Sequence, residues 1–159
     1  PGKRGRYCMT FKMPNNARDY FGNIKDLKFL FDWYYFCVML GLAKKKIGNE
    51  EEMEKEYFMD SFPSVYLGVR DQIIALLIDA EMERRAIEPN DRDSVQKLIL
   101  QLIDTFSQTR LNKQGIELLN RYAVTGMNYI NDSIPRTTSL DLFLLHYYKV
   151  YRRIIEEQG

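Results

Sequence analysis

Residues 29–43, FLFDWYYFCVMLGLA, constrain this chain more than any other segment. Wound as a helix, the segment is apolar on every side except at Asp32. A helix that is hydrophobic all round has to be enclosed, by its own fold or by a partner chain. It falls short of the ~20 apolar residues that span a bilayer, and Asp32 raises the cost of insertion further. The segment predicts the central helix of an all-α domain, or one half of an obligate interface.

The 159 residues are enough to bury a core around such a helix. Helical periodicity dominates the remainder. The first helix is predicted over residues 25–46, capped by Asn23, stopped by Gly48, with Lys44, Lys45 and Lys46 complementing the dipole in its last turn. An acidic stretch from Asn49 predicts a short exposed helix ending near Asp60, before Pro63. A third helix, residues 64–86, carries the stripe Val65, Val69, Ile73, Leu76, Leu77 and Ala80. A fourth, residues 91–110, is capped by Asn90 or Asp91 and places Val95, Leu98, Ile99, Leu102, Ile103 and Phe106 at spacings of three and four. A fifth, residues 113–130, has Gly126 on its apolar face, as close helix packing requires. The last, residues 140–157, follows Ser139 as cap, with Leu140, Phe143, Leu144, Tyr147, Tyr151, Ile154 and Ile155 inward.

The expected fold is therefore all-α: a compact bundle of five main helices plus one short helix around the aromatic-rich one. Residues 1–12 are expected to be a disordered or vector-derived tail, and residues 13–159 a single helical domain. Lys3, Arg4 and Arg6 fall in that tail and carry no functional argument. With Lys plus Arg at 23 and Asp plus Glu at 22, the chain lacks the basic excess usual in dedicated nucleic-acid binders. Cys8 and Cys37 imply no disulfide framework, which fits a reducing cytoplasm.

Candidate chemistry is sparse. The single histidine, His146, supplies neither a metal set nor a catalytic base with a neighbouring nucleophile. Glu51 and Glu54 form an E-x-x-E pair of the kind that holds Mg²⁺ in all-helical nucleotide pyrophosphohydrolases. Asp79, Glu81 and Glu83 do not reproduce the second acidic pair, so a metal-dependent phosphohydrolase is a distant alternative. Phosphate-binding glycine loops are absent. No catalytic residue, metal or cofactor is expected. If Asp32 is buried it needs a partner, and Arg70, Arg84, Arg121 or a backbone donor are the candidates.

Two surfaces remain. Tyr (11), Phe (9) and Met (7) are numerous, and such residues are enriched at protein interfaces. Trp33, Tyr34 and Phe36 are the expected protein-interface residues, provided the chain's own helices leave them uncovered. Basic residues cluster at Arg84 and Arg85, and Lys149, Arg152 and Arg153 form a stripe on the last helix beside Tyr148. That stripe suits either a phosphate backbone or a solvated face offset by Glu156 and Glu157.

Residues 27–37, LKFLFDWYYFC, and residues 115–123, GIELLNRYA, resemble small helical accessory subunits encoded in bacterial anti-phage defence and DNA-modification gene clusters. The resemblance implies a non-enzymatic subunit working beside an ATPase or nuclease. The expected function is thus a helical accessory or interaction subunit of a larger prokaryotic complex, with a protein partner or a second copy and no membrane. The alternative is a nucleic-acid-binding helical domain.

Overall fold

A computed structural model describes residues 10–158. Strand β1 (Phe11–Pro14) leads into the short helix α1 (Ala17–Phe21) and the aromatic helix α2 (Leu30–Lys44). A single 3-10 turn (Glu50–Glu52) opens strand β2 (Met53–Met59), and a second (Ser64–Tyr66) precedes α3 (Arg70–Arg84). Helices α4 (Arg92–Leu102), α5 (Lys113–Ser133) and α6 (Leu140–Gln158) complete the described chain. The protein is mostly helical, but β1 and β2 form a two-stranded antiparallel sheet, which corrects the all-α expectation.

Helix α2 is enclosed by several other elements of its own chain. Along one side, Phe31 and Tyr34 meet Phe11, Phe58 and Phe62 from the sheet region. Along another, Trp33 and Phe36 stack on Phe21 of α1, and Phe36 meets Phe143 and Tyr147 of α6 edge-on. The third side is α5, and α3 packs beside it. Gly41 and Gly126 explain the closeness of α2 and α5. A Cβ on Gly126 would lie 1.7 Å from the Cys37 carbonyl oxygen, and one on Gly41 would lie 1.7 Å from that of Tyr122. The two backbones therefore touch, as the position of Gly126 on the apolar face anticipates.

The strands replace two sequence expectations. Residues 1–9 of the expected tail lie outside the described residues. Its last residues do not form a tail: Thr10 and Phe11 are buried, and Phe11 is the hub of an aromatic cluster. The acidic stretch is only a 3-10 turn before β2, whose register sets Phe11 opposite Met59 and Lys12 opposite Tyr57. No local signal could reveal a pairing between segments so far apart in the chain. The far edge of β1 is closed by one side chain. Asn120 of α5 accepts from the Lys12 N–H (3.3 Å) and donates to the Thr10 carbonyl (3.1 Å), so its amide takes the place of a third strand. The Tyr34 hydroxyl holds that amide at 2.6 Å.

Helix ends also differ. Helix α2 starts at Leu30 because residues 22–29 form a loop that receives the Trp33 indole on the Leu27 carbonyl (2.9 Å). It stops at Lys45, which takes a left-handed φ of 56°; Gly48 instead packs against Val124 of α5. Residues 64–69 are not helical with α3, and Val65 of the expected stripe is 83% exposed. Helix α4 is capped by Asp91, as expected, but ends at Leu102. Residues 103–111 form a closed loop in which Ile103 bridges Leu111 and Asp104 accepts from the Phe106 N–H. Phe106 at its tip is 98% exposed rather than part of a stripe.

Candidate interaction surface

The predicted interface residues are core residues. Trp33 and Tyr34 are buried, and Phe36 is half-buried beneath Phe143 and Tyr147. The condition for their use as a surface fails, because α1, the sheet and α6 cover α2. Asp32 is half-buried in the first turn of α2, and its partner is the Tyr66 hydroxyl rather than an arginine. Burial, then the bond to Asp32, pushes the Tyr66 hydroxyl far above its ordinary value.

The other acidic and basic candidates neutralise one another. Glu81 has no exposed surface and accepts from Arg84 (2.7 and 2.8 Å), Arg85 (3.0 Å) and the Tyr122 hydroxyl (2.6 Å). Burial pushes its carboxyl up, but the hydrogen bonds from Arg84, Tyr122 and Arg85 outweigh it and hold the group below its ordinary value. Arg85 also reaches Gln101. This network ties α3 to α4 and α5, so the Arg84/Arg85 pair is structural. Glu51 sits in the 3-10 turn and Glu54 in β2, where Arg18 holds it at 2.8 Å. They do not share a helix face, and among the described residues no group of acidic, His or Cys side chains is arranged to hold a metal.

An open groove of about 950 Å³ runs between the sheet, the 103–111 loop and the start of α5. Several of its polar side chains are already engaged: Lys12 lies over the Tyr57 ring, Arg121 donates to the Gly48 carbonyl, and Asn120 closes β1. The Ser107 and Thr109 hydroxyls that line it are engaged with the Leu111 carbonyl (2.9 and 3.3 Å).

The unsatisfied surface is on α6. Ser139 caps this helix through the Leu142 N–H (3.3 Å). Its inner row is Phe143, Tyr147, Val150 and Ile154, buried or half-buried against the core. Tyr147 donates to the Phe36 carbonyl (2.7 Å) and Gln158 to the Ala43 carbonyl (2.5 Å), tying both halves of α6 to α2. Burial pushes the Tyr147 hydroxyl well up. Five further apolar side chains face water: Leu142 (48%), Leu144 (40%), Leu145 (48%), Tyr148 (60%) and Ile155 (46%). Of these, Leu145, Tyr148 and Ile155 follow one row of the helix, and apolar side chains exposed together mark an interaction site more often than scattered single residues do. Leu144 and Ile155 belong to the expected inner face, yet one helix row can cover only part of so apolar a helix. That excess is the sequence signal for this surface.

Lys149, Arg152 and Arg153 are exposed on the same helix. Arg152 is held by Glu156 at 2.7 Å, so the stripe is partly neutralised. His146 is half-buried on α6 and belongs to no metal-holding group among the described residues. Lys3, Arg4, Arg6 and Cys8 lie outside the described residues, while Cys37 is buried against Met127. No described helix is long and apolar enough to cross a membrane. No family model matches the chain, and neither a curated protein nor a solved structure matches it.

Proposed function

We propose that this protein is a non-enzymatic interaction subunit of a larger prokaryotic complex, and that it meets its protein partner through the outer face of α6. The exposure of Leu144, Leu145, Tyr148 and Ile155 on one helix carries this reading. Hydrophobic side chains left in water at this density gain free energy from burial, at about 25 cal/mol per Å². The likeness of residues 27–37 and 115–123 to accessory subunits of anti-phage defence clusters supports the setting.

Hydroxyl-radical footprinting tests the surface whatever the partner is. Tyr148 and Ile155 are expected to be protected in the native assembly and labelled in the dilute isolated chain. Equal labelling in both overturns this use of α6. A second reading, contact with nucleic acid, rests on the exposure of Lys149, Arg152 and Arg153. It requires duplex binding that weakens steeply with salt and is lost in R152E/R153E. The interleaved leucines and the Arg152–Glu156 pair favour a protein instead.

A further inference from the structure

We infer that the occupant of this α6 face is a second copy of the chain, docked antiparallel through α6 itself; the inference rests on the proposed use of α6 as the interaction surface. The outer row is Leu145, Tyr148, Arg152 and Ile155, with spacings of three, four and three residues. Alternating threes and fours are the spacing of a helix–helix seam. This row lies on the side of α6 opposite the inner row Phe143, Tyr147, Val150 and Ile154, which already packs on the domain. Helix α6 thus carries two seams, one used and one free.

The order of the free seam selects the partner. Its spacing reads the same in both directions, so a two-fold axis level with residue 150 maps the row onto itself. Such a self-complementary patch is what an isologous dimer requires. In that register Leu145 lies level with Ile155 of the second copy, apolar on apolar. Tyr148 lies level with the second copy's Arg152, a ring facing a guanidinium, and the axis generates the pair twice. Arg152 binds Glu156 through its Nε edge and also reaches Tyr148 of its own helix, and the two-fold register would let the planar faces of its guanidinium stack on the second copy's Tyr148 ring. With Leu144 on its flank, the row exposes on the order of 500 Å² of apolar surface per copy, which with a polar rim approaches the ~800 Å² per partner of a standard interface.

Sedimentation equilibrium on the purified chain, from sub-micromolar to ~100 µM, tests the inference. A concentration-dependent dimer is expected, and Y148E and R152E should each weaken it at least ~10-fold, with the far-UV circular dichroism and the thermal midpoint of the dilute monomer unchanged. A dimer insensitive to both variants overturns the inference, as does a monomer throughout. Oxidative crosslinking in a C8S background supplies a second readout that needs no disruptive substitution. The double variant L145C/I155C is expected to crosslink between copies, because the register sets those two positions level with each other. L145C alone is not, because antiparallel copies place those residues ~15 Å apart along the helix. Crosslinking of L145C alone means parallel packing and also overturns it. A monomeric chain whose Tyr148 is nonetheless protected in the native assembly would end the second-copy inference and leave the α6 surface to a different protein.

Discussion

Helices α5 and α6 both pack on α2, but by opposite means. The α2–α5 contact is backbone on backbone: Gly41 and Gly126 leave no room for a methyl group, and the Glu81 network and the Asn120 amide anchor α5 on its other sides. Helix α6 instead rests on side chains. One row of rings and aliphatics is buried, and the rest of its apolar surface meets water. The difference shows that equal amphipathicity does not mean equal embedding. Helix α5 is enclosed on several sides, whereas α6 is held along one line and leaves a second apolar face in water.

Substitutions at the two contacts break or sharpen this comparison. The largest effect is expected from Gly126→Val, since its side chain would have to displace the Cys37 carbonyl. A loss of about 3 kcal/mol or more is expected, read as a lowered urea midpoint or an insoluble chain. A small loss would mean that α2 and α5 can separate without cost, and that their close approach does not hold the fold together.

Glu81→Gln comes next, at about 3 kcal/mol, because it removes the buried countercharge of Arg84 and Arg85 and turns an NH2 donor towards groups that themselves donate. Its pH dependence has a defined sign. The folded-state carboxyl lies below its ordinary value of 4.5. Its stabilisation is therefore complete above pH 4.5 and is lost as the pH falls through the folded-state value. Denaturant titrations from neutral pH into acid should show a flatter acid limb for Glu81→Gln than for wild type. Parallel acid limbs would place the linkage elsewhere.

Asn120→Ala should cost about 2 kcal/mol, since it removes the oxygen that accepts from both the Tyr34 hydroxyl and the Lys12 N–H. Hydrogen exchange at Lys12 should accelerate more than exchange within α5. Uniform acceleration would argue against a local closure of the β1 edge. The smallest effect belongs to the outer face of α6: in the dilute monomer, Leu144→Ser and Ile155→Ser should each stay within about 0.5 kcal/mol of wild type. A destabilisation comparable to that of Asn120→Ala would show that α6 buries more than its inner row.

Much of the helical content is legible in the sequence. Asp91 and Ser139 are caps in the structure as in the sequence, and the starts of α5 and α6 agree with the expected ones. Sequence and structure part where a residue's role depends on distant chain. Residues 53–59 carry acidic side chains that suit a helix start, yet β1 recruits them as a strand. Residues 103–110 continue the α4 periodicity, but Asp104 turns the chain and Ile103 finds Leu111. The expected interface falls on Trp33, Tyr34 and Phe36 because they stand in the most apolar segment. The same property draws Phe11, Phe21 and Phe143 over them.

The sequence by itself determined that this chain is rich in helices and that one of them must be enclosed on all sides. Periodicity, capping and composition act within a few turns, so they are readable without the fold. Only the tertiary structure decided what encloses that helix, that a strand pair exists, and which apolar residues of α6 remain in water. Those outcomes depend on which segments compete successfully for the same apolar face, and that competition takes place between residues far apart in the chain.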